Sequence, residues 1–391
     1  MELQLKQLLL FTTNQSIMVR RQQTNYAKAR LFKGKALLVF GPRQVGKTTF
    51  VENLIADLDK KTLFLNGDES DVLVLFENPN ITKLKNIIGD NEILVIDEAQ
   101  RITNIGIVIK IIVDQIKSVQ VIATGSSSFE LANKLNEPLT GRKYEMYLYP
   151  IVFSEMVTHN GLLDEKRNLE QRLIYGSYPE IITNPIDAKE HIKLIANSYL
   201  YKDLFLLDQI SKPVLLQKIV KALALQVGSE VNYNELSRLL QIDNKTVEKY
   251  IDLLEKAFVV FKLPALSNNI RNEIKKGRKI YFYDNGIINA VTGNFNPLSQ
   301  RTDIGSLWEN YIISERIKHL NIQQNEASSY FWRTSQQQEI DYIEKIDNQI
   351  LVCEIKWNPK AKYKIPVTFS TNYENVASKI VTPDNYEEFL L

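Results

Sequence analysis

Residues 36–50 read ALLVFGPRQVGKTTF, and the order of residue types in this stretch decides how the first half of the chain folds. The apolar run Ala36–Phe40 has the character of a buried strand, Gly41-x-x-x-x-Gly46-Lys47-Thr48 follows, and a helical pattern comes next. Gly41 and Gly46 let the chain curl with its N–H groups turned inward. Those groups and the N-terminus of the helix form a cradle for phosphate oxygens. Pro42, Arg43, Gln44 and Val45 complete the loop and Thr49 extends it into the helix. Lys47 is placed to reach the β- and γ-phosphates of a nucleoside triphosphate, and the Thr48 hydroxyl is placed to bind Mg2+.

A phosphate loop needs a second strand that ends in acid, and EILVIDEAQ, residues 92–100, supplies one. Its apolar run reads as a strand buried on both faces, with Asp97 where the chain leaves it. Asp97 is expected to hold the water shell of Mg2+ and Glu98 to activate the attacking water. A third strand, VQVIATGSSS (119–128), ends in small hydroxyl residues. Thr124 and Ser126 either orient water beside the γ-phosphate or satisfy a helix start. In LTGRKYEMYLYP, Arg142 follows a glycine in a region expected at the surface. It is either an ordinary surface arginine or a group that stabilises transition-state charge on a neighbouring subunit's nucleotide.

Composition narrows the classes. With 391 residues the chain is long enough for two or three domains, since single cores rarely grow past roughly 250 residues. A net charge of +2 leaves any nucleic-acid surface to a local patch. The single cysteine, Cys353, rules out an internal disulfide and fits a reducing cytoplasm, and with only His159, His191 and His319 beside it a structural zinc site is disfavoured. The apolar stretches fall short of the roughly 18 residues that a membrane span needs. The expectation is a cytoplasmic protein without a membrane partner. Met18 precedes VRRQQ, which marks the residues before it as a loosely ordered extension.

The ordered motifs GPRQVGKTT, LVIDEAQR, ATGSSS and LTGR resemble the AAA superfamily, in particular a prokaryotic ATPase family of mostly uncharacterised members. The resemblance continues through FSEM, YGSYPEI and YFYDNG. It implies ATP and Mg2+ as ligands, Asp97 and Glu98 as the acidic pair, a polar sensor at Thr124 or Ser126, and Arg142 as an arginine finger acting in trans in a homo-oligomer. It says little about substrate.

Residues 150–212 carry helical periodicity and are expected to form the helical lid that follows the nucleotide core in such ATPases. Residues 213–283 show a helix, then NYNELSRLLQIDNKTVEKYIDLLEKAFVVFKL. Asn232 and Glu235 fit a capping box, and Val247, Tyr250, Ile251 and Leu254 share one helix face. Two helices joined by a tight turn and followed by a β-type run predict a winged helix-turn-helix. Beyond them, Arg271, Lys275, Lys276, Arg278 and Lys279 form either a basic wing for DNA or a solvated run beside a protein-docking surface.

The end of the chain reads as a helix, SLWENYIISERIKHL, and three strands, SSYFWRT, QEIDYIEK and QILVCEIKW. Glu354 and Lys356 stand two apart and are expected to project together, with Cys353 and Ile355 turned into the core. Carboxylates at strand ends with a nearby lysine can hold one or two Mg2+ or Mn2+ ions against a scissile phosphate. The pattern resembles the restriction-endonuclease-like fold, which implies Asp341, Glu354 and Lys356 as its centre and Glu309 as the helix acid. The proline that often precedes the first strand acid is absent from EIDY. An exposed cross-strand ion pair and an inactive nuclease-like domain are the alternatives.

The expected architecture is thus α/β. An extension (1–30) leads to an AAA-type P-loop core on a parallel sheet (31–149), a helical lid (150–212), a winged helix-turn-helix (213–283) and a restriction-endonuclease-like domain (284–391). The expected activity is ATP hydrolysis that moves the carboxyl-terminal half on DNA, or times its release from a protein partner.

Overall fold

The structure is a computed structural model that describes residues 18–126, 139–198, 213–267 and 277–391. Its first sheet is parallel, with β1 Ala36–Phe40, β2 Thr62–Asn66, β3 Ile93–Asp97, β4 Gln120–Gly125 and β5 Lys143–Tyr147 in the order β2-β3-β4-β1-β5. Every residue of β1, β3 and β4 is buried, because both faces of the sheet are covered. Leu38 and Phe40 join one core with Leu94, Ile96 and Ile109, while Leu37 and Val39 join the other with Val51, Leu54 and Ile122. The phosphate loop, Asp97 and Thr124 all leave the sheet at its carboxyl edge, where open α/β sheets place their ligands.

Short helices follow, from Phe153–Asn160 to Ala188–Asn197, and then the helix Pro213–Leu225. The expected helix pair is Tyr233–Leu240 and Asn244–Lys256, flanked by β6 Glu230–Val231 and the antiparallel strands β7 Val260–Pro264 and β8 Arg278–Phe282, in the sheet order β6-β8-β7. Asn232 caps the first helix by accepting the Asn234 and Glu235 N–H groups, and Asp243 caps the second by accepting that of Thr246. Val247, Tyr250, Ile251 and Leu254 are all buried, as their spacing requires.

The last part has the long helix Ile304–Ile322 and the strands β9 Ser328–Arg333, β10 Glu339–Ile346 and β11 Gln349–Ile355. A fourth strand, β12 Val376–Val381, was not expected, and it pairs in parallel with β11 to give the order β12-β11-β10-β9. Its sequence hides it: Ala377 and Ser378 lie exposed on the sheet edge, so VASKIV lacks the alternation that marks a half-buried strand.

One hydrophobic core runs from Phe153 through the helix pair to Tyr342, Cys353 and Phe389, so the middle and the carboxyl-terminal sheet pack as a continuous body. Trp308 lies at its centre without solvent exposure, and burying an aromatic of that size contributes about 3 kcal/mol. Two of the short sequence motifs explain each other here. Asp284 of YFYDNG accepts the N–H of Gly286 at 2.8 Å and that of Ser177, in YGSYPEI, at 2.7 Å. Only glycine fits at 176 and 286, since a Cβ would lie 1.8 Å from the Asp284 carboxylate in one case and 2.2 Å from the Tyr175 carbonyl in the other. FSEM has a similar use: Glu155 accepts the Val152 and Gln22 N–H groups, while Glu315 of the long helix accepts that of Phe153. Among the described residues, no helix is long and apolar enough to cross a membrane.

Candidate functional site

The chain leaves β1 at Gly41, where a Cβ would lie 2.2 Å from the Leu148 carbonyl oxygen, so the loop starts against the backbone of the neighbouring segment. Gly46 sits in the left-handed region at φ 88° and turns the chain into the helix Lys47–Ala56. The Lys47 ammonium is buried and donates to the carbonyls of Gly41 and Pro42 at 3.1 and 2.9 Å, closing the loop from within. Gln44 is exposed on the loop with φ 60°, and Val45 is buried beneath it.

Asp97 lies between two hydroxyls. Thr48 Oγ1 donates to Asp97 Oδ2 at 2.7 Å, and Thr124 Oγ1 donates to Asp97 Oδ1. Thr124 also accepts the Glu98 N–H at 3.2 Å, so the third strand is tied to both acids. An all-oxygen set of one hydroxyl and one carboxylate beside a phosphate cradle fits Mg2+, which keeps several waters and takes its other ligands from phosphate. Glu98 has φ 48°, rare for a residue with a side chain, which sharply redirects its side chain away from the strand path. Gly67 makes room for that turn, since a Cβ there would meet the Glu98 carbonyl oxygen at 2.6 Å. Gln100, the last residue of DEAQ, is buried and donates both to Glu98 Oε2 and to Ser126 Oγ, the latter at 3.0 Å. The two candidate sensor hydroxyls therefore divide: Thr124 holds Asp97, and Ser126 meets Glu98 through Gln100. Gly67 and Gln100 did not stand out in the sequence, because GD and AQ carry no spacing signal of their own.

Residues 33–157 match the family described as AAA domain. The loop, the acids and the parallel sheet all lie within these residues. This part of the chain is similar to an AAA-type P-loop domain. Residues 166–298 and 304–389 match two families described as domains of unknown function, DUF8612 and DUF4143. Over 345 residues the chain is 26% identical to the uncharacterised protein Rv2008c of Mycobacterium tuberculosis, covering 86% of this chain and 74% of that one. It is 24% identical over 283 residues to an uncharacterised protein of Haemophilus influenzae, covering 69% of this chain and 65% of the other. Among solved structures, the Walker-type ATPase PABY2304 of Pyrococcus abyssi shares the fold, with a TM-score of 0.51 and 14% identity over 70% of this chain and 96% of that one.

Arg142 stands at the opposite end of the AAA-type sheet from the phosphate loop. It precedes Lys143, which pairs with Ala36 at the start of β1, whereas the loop follows Phe40. Four residues of strand separate the two ends, roughly 13 Å. Arg142 is half-buried beside Asp114, 2.7 Å away, and this chain's own nucleotide is out of its reach.

The carboxyl-terminal acids do come near one another. Glu309 Oε1 accepts from Tyr281 at 2.6 Å, and Asp341 accepts the Ile355 N–H at 3.0 Å. Lys356 sits 2.7 Å from Glu354 and 3.4 Å from Asp341. Burial, with Asp341 beside it, pushes the Glu354 carboxyl up to about 7, and burial likewise lifts that of Glu309. The expected exposed pair needs correcting on one side. Glu354 is buried, because its face of the sheet carries the core of Val352, Ile343 and Phe369, and only Lys356 reaches solvent.

Lys279 also departs from expectation. Expected in a basic wing or a solvated run, it is instead 1% exposed and lies between Glu309, at 3.1 Å, and Glu339, at 2.6 Å. Burial pulls its ammonium pKa down, but Glu309, Asp341 and Glu339 outweigh that and hold it above the ordinary lysine value. Glu339 went unread in the sequence, although it stands two residues before Asp341. Arg278 is half-buried over the Tyr233 ring, in a cleft of about 690 Å3 shared with Arg333 and Phe331. Arg271, Lys275 and Lys276 lie outside the described residues.

Proposed function

We propose that this chain is a Mg2+-dependent ATP hydrolase whose nucleotide cycle is passed from the phosphate loop to a winged helix and a restriction-endonuclease-like domain, with DNA as the target. The observation that carries it is the set of Lys47, Thr48, Asp97 and Glu98 around one phosphate cradle. Bound Mg2+ would neutralise charge on the β- and γ-phosphates. Thr48 and Asp97 would hold it, Lys47 would swing from its loop carbonyls to the phosphates, and Glu98 would take a proton from the attacking water.

Transmission has a short physical route. Gly46 faces Pro179, whose ring would lie 3.9 Å from a Cβ built at that glycine, and Ser177, two residues before Pro179, is held by Asp284. A shift of the loop on phosphate binding would reach the helix Pro179–Thr183 across this gap and, through Asp284, the end of β8. ATP turnover with and without duplex DNA tests the target. Stimulation that weakens steeply with salt, and that loses part of its salt slope in an Arg278→Ala/Arg333→Ala protein, is the expected result. Turnover indifferent to DNA at every salt concentration would reject DNA as the target.

A second reading is favoured by the lysine-filled acid cluster and by the mixed charges of Lys245, Glu248 and Lys249 on the exposed face of the helix Asn244–Lys256. In it, the chain is an ATP-controlled switch that docks a protein partner, and the nuclease-like part is silent.

Acting as an arginine finger, Arg142 would serve a neighbour's nucleotide, because it stands at the other end of the sheet from its own loop. Mixing Arg142→Ala with Glu98→Gln protein should restore part of the turnover that each lacks, since a mixed assembly contains some sites with both groups intact. Phosphate release that stays at the level of the separate variants at every mixing ratio would remove the arginine from the mechanism.

A further inference from the structure

The acid, spacer and Glu-x-Lys pattern of residues 341–356 implies a divalent metal, and the side chains present do not fit one. Glu309 and Glu339 already face the Lys279 ammonium, and Asp341 and Glu354 face that of Lys356. We infer that Lys279 is the resident cation of the carboxyl-terminal carboxylate set, so that the centre takes no divalent metal and works as a charged joint between the β7–β8 pair and the last sheet.

The inference rests on where Lys279 comes from and what it meets. It belongs to β8, the central strand of its own sheet, paired with Glu230 on one side and Leu263 on the other. Its side chain leaves that sheet and enters the acids of the next unit. Nζ lies 2.6 Å from Glu339 of β10 and 3.1 Å from Glu309 of the long helix, and the Phe331 ring closes a further side, with its centroid 5.7 Å away. These are charge-assisted hydrogen-bond distances. Mg2+ would instead need carboxylate oxygens at about 2.0–2.1 Å in near-octahedral array.

A second lysine lies beside the other two acids. Lys356 covers Asp341 and one oxygen of Glu354, while the other Glu354 oxygen is buried without a hydrogen-bond partner. The inference deepens the view of residues 284–391 as nuclease-like and leaves the ATP site untouched.

The test is Mn2+ binding by the full chain without nucleotide, followed by the paramagnetic resonance of free Mn2+. Wild-type and Asp341→Asn proteins should bind Mn2+ equally. Lys279→Met should gain one bound Mn2+ per chain and show a Mn2+-dependent rise in its unfolding temperature, and Lys279→Met/Asp341→Asn should lose both. Wild-type protein that binds a Mn2+ abolished by Asp341→Asn would overturn the inference, and this comparison holds even where Lys279→Met fails to fold. A folded Lys279→Met protein that gains no Mn2+ would equally overturn it. ATP turnover measured on the same wild-type preparation, with Mg2+, keeps failure here separate from failure of the ATPase proposal.

Discussion

Replacing Glu98 with glutamine is expected to leave ATP bound while slowing its hydrolysis by about 10²- to 10⁴-fold, the range that a positioned general base contributes. The substitution keeps the shape of the side chain and an oxygen that can accept from Gln100, so the turn at φ 48° and the tie to Ser126 survive. It removes only the capacity to take a proton. Lys47, Thr48 and Asp97 are unchanged, so affinity should stay within a few-fold of wild type. Equilibrium titration with ATP and single-turnover hydrolysis separate the two quantities. Lost binding would make Glu98 a structural part of the loop that follows β3, and an unchanged rate would remove it from the chemistry.

Lys47→Ala should act on the other quantity. The ammonium is buried inside the loop, where it donates to the carbonyls of Gly41 and Pro42. Hydrogen bonds to a charged group are each worth about 1.5–3 kcal/mol, which converts to a loss of roughly 10- to 100-fold in ATP affinity for one such contact. Turnover should fall below detection, because the same charge offsets the negative charge that moves during phosphoryl transfer. The fold should persist, since alanine keeps the helix Lys47–Ala56 and the surrounding cores of β1 and β3 are intact. Circular dichroism checks that point. Hydrolysis at the wild-type rate in a pure Lys47→Ala preparation would refute the assignment of the site.

The parts of this architecture that were legible beforehand are those in which local chemistry and fold demand the same residues. A phosphate loop must follow a strand and open a helix, so ALLVFGPRQVGKTTF carried its own context, and ILVID could only be a strand covered on both faces. The helix pair was legible for a similar reason: Val247, Tyr250, Ile251 and Leu254 repeat at the helical period, and Asn232 marks a start. What escaped depends on contacts between distant segments. Lys279 looked like one member of a basic run, because sequence distance places it beside Lys275 and Lys276. Its partners, Glu309 and Glu339, lie 30 and 60 positions away, and no local pattern links them. The burial of Glu354 escaped too, because the cover on that face of β11 comes from Phe369 and Ile343. Gly176 and Gly286 appeared only as motif letters until the Asp284 joint showed why neither tolerates a side chain.

The same contrast applies to the acids at 309, 341 and 354. Their spacing along helix and strands resembles a metal centre, and spacing is all that a single sequence displays. The ammonium beside Glu309 and Glu339 comes from a strand of another sheet, at 3.1 and 2.6 Å, and no local pattern announces it.

The measurement that bears most directly on the central claim is the time course of phosphate release from ATP by the purified chain, run with Mg2+, with EDTA in place of Mg2+, and beside Lys47→Ala. Continuous release is expected with Mg2+ and none in the other two. Release that persists in EDTA or in Lys47→Ala, or ATP that binds with Mg2+ and is never hydrolysed at any protein concentration, would contradict it.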